Sequence, residues 1–242
     1  MPKTIAIIQA RIGSQRLPGK VLKTLGNTIV LDYVVTRSKA IMGVDKVIVA
    51  TSNLRKDDKI VEWCCDNKIE YFRGSEENVL SRYYYCALKY QPKYIIRITG
   101  DCPFVDYNFA SETLKEVYNQ KPDIIKITGK ITRGLTVEIL SFESLEFIYQ
   151  KANLPRHFEH VTYYATEHPE KFDLLKIKAP KYMLHPEFRI TLDTDKDYQV
   201  CSKIAEHFNG DIKIETSKII SFLVRNPEVA NINKYVMQKP VV

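Results

Sequence analysis

Thr4-Ile-Ala-Ile-Ile-Gln-Ala10 runs directly into Arg11-Ile-Gly-Ser-Gln-Arg-Leu-Pro-Gly-Lys20. The first seven residues are apolar, β-branched and unbroken apart from one glutamine, the pattern of a strand buried on both faces. The next ten carry two glycines, a proline and three cations, Arg11, Arg16 and Lys20. A buried strand that opens onto such a loop is the start of an α/β fold, and the residues beyond it continue the theme. Residues 29–42 read as a helix with Leu31, Val34, Val35 and Ile41 near one face. Residues 46–51 read as a second buried strand, 57–67 as a helix, 69–72 as a short strand and 78–90 as a helix. Residues 94–98 form a third apolar strand that ends in Thr99-Gly-Asp-Cys-Pro103, followed by a helix over 107–119 and a strand over 123–127. Alternating strand and helix predict a mostly parallel central sheet with helices on both faces. Ligands of such sheets bind at the carboxyl ends of the strands, where the loops after Ala10 and Ile98 lie.

The second half is less regular. Residues 135–140 read as a strand, 142–151 and 158–168 as helices, 172–178 and 188–192 as strands, and 198–208 and 217–224 as helices. No Ser/Pro-rich linker and no internal repeat divides the chain. One domain over residues 1–242 is expected, with a C-terminal subregion beyond about residue 130.

Composition bounds the class. With 242 residues the chain can bury a sizeable core, and 45% hydrophobic and 27% charged residues are ordinary for a globular protein. The net charge of +7 fits either a lysine-rich solvated surface or an anionic partner. The five cysteines, Cys64, Cys65, Cys86, Cys102 and Cys201, include no CxxC pair, so neither a zinc nor a disulfide framework is expected. No stretch approaches the roughly 20 apolar residues of a membrane span, and the first apolar run is cut off by Arg11. A cytoplasmic protein with no membrane partner is the expectation.

The loop at 11–20 has the chemistry of a phosphate cradle. Glycine lets backbone N–H groups approach closely, and arginine offers a planar fork to phosphate oxygens. It is neither a Walker A loop nor a GxGxxG fingerprint, which disfavours P-loop NTPases and NAD dehydrogenases. Asp101, at a strand end, can hold Mg²⁺ against phosphates or can simply cap a turn or helix. Glu138 lies within an apolar strand and can point to solvent at a sheet edge. His160 falls on an expected helix, where a structural histidine is the ordinary outcome. Tyr83-Tyr-Tyr85 cannot share one helix face, so one or two belong to the core and the rest to the surface.

The loop, together with Val49-Ala-Thr-Ser52, Phe72-Arg-Gly-Ser75, Arg97-Ile-Thr-Gly-Asp-Cys-Pro103, Val137-Glu138, Glu159-His-Val-Thr162 and Arg189-Ile-Thr-Leu-Asp-Thr194, resembles the SpsF-like cytidylyltransferases of spore-coat polysaccharide synthesis. More broadly it is similar to CMP-Kdo synthetases and acylneuraminate cytidylyltransferases. The resemblance implies a nucleotide-diphospho-sugar transferase-like sandwich. It implies transfer of CMP from CTP to a sugar acid or related small acceptor, with Mg²⁺ as cofactor and a homodimer as the assembly. Carried over residue by residue, Ala10, Arg11, Gly13, Ser14, Arg16, Lys20, Thr51, Ser52, Arg73, Ser75, Thr99 and Asp101 would meet the nucleotide. Of these, Arg11, Arg16, Lys20 and Asp101 would serve catalysis. Asp101 and Asp193 would hold the metal, and Glu138 and His160 would meet the acceptor. Asp195 and Asp197 are expected to cap the following helix.

Two other readings compete. A glycosyltransferase using a nucleotide sugar could share the sheet, but it commonly places Asp-x-Asp after a central strand, where this chain has Asp101-Cys-Pro103. A nucleic-acid module would fit the charge, but no RRM, KH or C₂H₂ pattern is present.

Overall fold

The computed structural model describes residues 3–239. Its strands are β1 (Thr4–Gln9), β2 (Thr24–Leu25), β3 (Thr28–Ile29), β4 (Lys46–Ser52), β5 (Glu70–Gly74), β6 (Tyr94–Thr99), β7 (Ile124–Thr128), β8 (Glu138–Ser141) and β9 (Leu174–Lys178). Apart from the small β2–β3 hairpin they form one sheet in the order β5-β4-β1-β6-β8-β7-β9. Every pairing is parallel except those of β8, which runs antiparallel to both β6 and β7. The helices are α1 (Val30–Lys39), α2 (Asp58–Asp66), α3 (Val79–Tyr90), α4 (Tyr107–Gln120), α5 (Phe142–Lys151), α6 (Pro155–Glu159), α7 (Tyr163–Glu167), α8 (Asp195–His207), α9 (Thr216–Arg225) and α10 (Pro227–Ala230).

Side chains of a strand alternate between faces, and here both faces are covered. Ala6 and Ile8, with Val47, Val49, Ile96 and Ile98, pack with Val34 of α1, Ile60 of α2 and Leu114 of α4. Ile5 and Ile7, with Ile48, Ala50 and Ile95, pack with Leu80 of α3, Ile148 of α5 and Tyr164 of α7. A third cluster joins Ile204 of α8 and Ile219 of α9 to Leu17, Tyr33 and Phe104 of the first half. The fully buried Arg37 of α1 crosses the same junction. It donates to the carbonyls of Val105, Ile212 and Ile214 at 2.8–2.9 Å and to Thr216 Oγ1 at 3.2 Å. Burial pushes its pKa down to about 10, so it stays charged at neutral pH.

Three expectations are corrected. The helix over 158–168 is two short helices, α6 and α7, broken at His160 and Thr162, so His160 ends α6 rather than riding mid-helix. The break lets Val161 reach the core and Thr162 bond Glu138 Oε2 at 2.6 Å. The strand over 188–192 is an extended segment with one bridge, Arg133 to Arg189. Beyond that bridge, Leu192 N–H donates to Asp101 O at 2.8 Å instead of to a neighbouring strand. The strand over 135–140 begins only at Glu138, because Leu135 O accepts from Asp106 N–H at 2.7 Å in the loop after β6. Glu138 therefore starts an interior strand and does not lie on a sheet edge.

The tyrosine triplet divides as the helix geometry requires. Tyr83 is fully buried and its hydroxyl lies 3.0 Å from both Ile7 O and Ile98 O. Tyr85 is exposed, and Tyr84 stacks on Tyr149 with centroids 4.2 Å apart.

Candidate active site

Parallel strands deliver their carboxyl ends to one edge, and nearly every residue singled out from the sequence gathers there. Gly100 makes this possible after β6: a Cβ on it would lie 2.8 Å from Gln9 O. That close approach sets Asp101 beside the loop that follows β1.

The centre of the edge is an ion cluster. Lys20 Nζ donates to Asp101 Oδ2 at 2.6 Å, Asp193 Oδ1 at 3.0 Å and Leu192 O at 2.7 Å. Arg16 Nη2 stands 3.3 Å from Asp193 Oδ1. From the other side, buried Arg189 pairs with Asp193 and with Asp197, the latter at 2.9 Å. Burial alone would raise the pKa of Asp101, but the charge and hydrogen bond of Lys20 hold it below the usual carboxylate range. Burial likewise opposes the charge on Lys20, and Asp101 and Asp193 together hold its pKa above the ordinary value. Both groups are therefore ionised at neutral pH. Burial, with Asp101 beside it, pushes the Cys102 thiol up to about 12, so it is no thiolate nucleophile.

The remaining loop residues face a second patch. Arg11 Nη1 lies 3.8 Å from Glu76 Oε1, and Lys56 Nζ lies 2.5 Å from the same oxygen. A Cβ on Gly13 would sit 2.7 Å from that carboxylate, so the Lys56–Glu76 pair lies directly against the loop backbone. Ala10 N–H donates to Ala50 O at 3.1 Å, and Ser14 Oγ accepts from Leu17 N–H at 3.4 Å. Ile12 N–H donates to Asp57 Oδ1 at 2.7 Å, and Asp57 also takes the hydroxyl of Ser52. Thr51 Oγ1 is buried without a hydrogen-bond partner. Arg73 Nε donates to Ser52 O at 2.9 Å and Nη1 pairs with Asp58 at 2.8 Å. Ser75 Oγ accepts from Asn78 N–H at 3.0 Å in the turn before α3. Arg11, Arg73 and Ser75 thus make their contacts away from the Asp101–Asp193 centre.

A third group lies where β8 begins. Arg97 Nη1 donates to Glu138 Oε1 at 2.7 Å and Nη2 to Gln9 Oε1 at 3.1 Å, while Nε is buried without a partner. Burial opposes its charge, but Glu138 overrides this and keeps it a cation. Half-buried His160 is held below the usual histidine range by burial, despite the opposing charge of Glu159, and is neutral at pH 7. Thr99 Oγ1 lies 3.1 Å from Cys102 Sγ at the end of β6.

Sequence reasoning missed Arg97, Arg189, Lys56 and Glu76. Arg97 had a signal, a cation inside the apolar run Tyr94-Ile-Ile-Arg-Ile98. Asp197 was expected only to cap α8. It does sit in a capping box with Thr194, but it is also fully buried against Arg189 and Asn233.

A seven-stranded sheet of this order, with a basic loop and two carboxylates at its ligand edge, defines an α/β protein of the nucleotidyltransferase type. The chain belongs to the cytidylyltransferase family, whose profile matches residues 5–229. It is 34% identical to the spore coat polysaccharide biosynthesis protein SpsF of Bacillus subtilis, over 95% of this chain and 98% of that one. It is 37% identical to an uncharacterised protein of Methanocaldococcus jannaschii, over 98% of this chain and 97% of that one. A solved cytidylyltransferase from Leptospira borgpetersenii superposes with a TM-score of 0.88 at 29% identity, covering 99% of this chain and 100% of that one. The CMP:2-keto-3-deoxy-manno-octonic acid synthetase solved with CTP shares the fold, with a TM-score of 0.64 at 15% identity over 85% of this chain and 99% of that one. Among the described residues, no helix is long and apolar enough to cross a membrane.

Proposed function

We propose that this protein transfers CMP from CTP to a hydroxyl or similar oxyanion of a sugar acid or related small acceptor, with pyrophosphate leaving, in surface polysaccharide or glycan synthesis. The observation that carries the reading is the Lys20 ammonium clasped by Asp101 and Asp193 at the ligand edge, in a chain of this family. The acceptor oxygen attacks the α-phosphorus in line as the bond to the bridging oxygen of pyrophosphate breaks. Arg11, Arg16 and Lys20 neutralise the β- and γ-phosphates, and Thr51, Ser52, Arg73, Ser75 and Thr99 frame the rest of the nucleotide. Glu138 takes acceptor hydroxyls, and neutral His160 can accept a hydrogen bond or proton beside it. Most of the rate then comes from positioning and fixed charge rather than from a covalent intermediate.

The donor set suits Mg²⁺. Asp101, Asp193 and Leu192 O are hard oxygens converging on one cationic point, and Mg²⁺ takes one or two carboxylates plus phosphate oxygens. When bound, the ion would neutralise charge on the phosphate oxygens. Residues 1–130 would grip the nucleotide and residues 131–242 the acceptor, in a cytoplasmic homodimer.

The test is pyrophosphate release with each of the four ribonucleoside triphosphates against a panel of sugar acids, beside thermal stabilisation by each nucleotide with Mg²⁺. CTP should give the largest shift and the only strong turnover. Equal shifts with all four would refute the base assignment, and release of a nucleoside diphosphate from a nucleotide sugar would restore the glycosyltransferase reading.

A further inference from the structure

Asp193 is held by three cations. Arg16 and Lys20 reach it from the loop, whereas Arg189 reaches it from within the protein. Arg189 spends each guanidinium nitrogen on a different partner. Nη2 meets Asp193, Nε meets Asp197 Oδ1 at 2.9 Å, and Nη1 meets Gln238 Oε1 at 2.9 Å. Gln238 is the one partner of the three that lies outside residues 189–197. The same arginine is gripped again through its backbone. Buried Asn233 donates from Nδ2 to Arg189 O at 2.9 Å and to Asp197 Oδ1 at 2.8 Å. Asp197 Oδ2 in turn accepts Asp193 N–H at 3.1 Å and Thr194 N–H at 2.9 Å.

Residues 231–239 follow α10 and carry both Asn233 and Gln238. Ile232 packs against the α8–α9 cluster, but beyond it apolar burial gives little hold, since Tyr235 and Met237 are each 82% exposed. Val236 N–H closes a turn onto Asn233 O at 2.9 Å, which sends the chain back toward Arg189. A tail that leaves Tyr235 and Met237 in water, yet seats its two amides on one buried arginine, is anchored for what that arginine holds.

We propose that residues 231–239 form a strap that orients Asp193, with Asn233 and Gln238 as positioning residues acting through Arg189. The inference rests on the reading of Asp193 as an active-site carboxylate. Partners behind a metal-binding carboxylate fix its orientation, and removing one commonly costs about 10–100-fold in metal affinity or activity.

The test uses the full-length protein, Gln238→Ala, Gln238→Glu and a chain ending at Val236, with Asp193→Asn as a reference. Turnover and the KM for CTP are measured by pyrophosphate release. Affinity for Mn²⁺ is measured by calorimetry with an unreactive CTP analogue bound, and thermal midpoints are recorded for every variant. Gln238→Ala and the shortened chain should lose roughly 10–100-fold in kcat and in Mn²⁺ affinity, with KM and thermal midpoint unchanged. Gln238→Glu, which can still accept from Arg189, should restore both. Wild-type kcat and Mn²⁺ affinity in the strap variants, with Asp193→Asn inactive, would overturn the strap and leave the active-site reading standing. Losses that track a fall in thermal midpoint and are not rescued by Gln238→Glu would also overturn it, because they would mark a merely structural tail. Normal turnover by Asp193→Asn would overturn the reading of Asp193 and the strap with it.

Discussion

Lys20 touches both Asp101 and Asp193, and this sets what each neighbour can be expected to do. Asp101→Asn should abolish turnover with only a modest loss of CTP affinity, because the loop cations still grip charge already present on the triphosphate. Arg16→Ala should weaken CTP binding itself. Hydrogen bonds to charged groups contribute about 1.5–3 kcal/mol, or roughly one to two decades in affinity. Calorimetric CTP affinity beside pyrophosphate release separates the two. Normal turnover by Asp101→Asn would return it to a turn residue, and unchanged binding by Arg16→Ala would remove the main functional claim of the loop. Asp101 also carries an acid signature. Its pKa is depressed on folding, so its contribution to stability is complete above the ordinary aspartate value of about 3.9 and fades as pH falls through the lower folded value. Asp101→Asn should lack that acid limb in an unfolding titration.

At the scale of elements, α3 is tied to the sheet by one buried hydroxyl. Tyr83→Phe deprives Ile7 O and Ile98 O of a shared donor and should cost about 0.5–1.5 kcal/mol, the net worth of one hydrogen bond. Denaturant unfolding should show a lower midpoint with an unchanged slope; an unchanged midpoint would mean that α3 is held by packing alone. The strands and long helices of the first half were legible because each is long, periodic and bounded by turn residues. Thr4–Gln9 and Tyr94–Thr99, buried on two faces, leave little else for such runs to be. Legibility fails where tertiary partners override local pattern. Residues 188–192 look like a strand, yet their hydrogen bonds go to Arg133 and Asp101. His160 to Thr162 look helical, yet the chain departs to bury Val161 and to bring Thr162 to Glu138. The meeting of Asp101 with the basic loop was readable because both follow buried parallel strands, whose carboxyl ends share one edge. Arg189, Asp197 and Asn233 were not, because their contacts depend on partners up to 49 positions away.

At the scale of the whole molecule, Arg37 joins α1 to the chain beyond α8 by donors alone. Arg37→Met keeps the bulk and orphans the buried carbonyls of Val105 and Ile214, at about 1–3 kcal/mol each, and the part-buried one of Ile212. For a protein of this size 1 kcal/mol moves the thermal midpoint by about 2–4 °C, so a fall on the order of 10 °C is expected in scanning calorimetry. A fall of a degree or less would show that water replaces the guanidinium at little cost. The sheet order carries a consequence for synthesis. β1 is made first but lies in the middle, between β4 and β6. β4 ends at Ser52 and β6 at Thr99, so the second neighbour of β1 is complete 90 residues after Gln9. At about 5–20 residues per second on a ribosome, β1 waits roughly 5–18 s with one apolar edge unpaired. During that interval the nascent chain is a client for whatever binds exposed strands, and a codon that slows translation before Tyr94 lengthens its exposure.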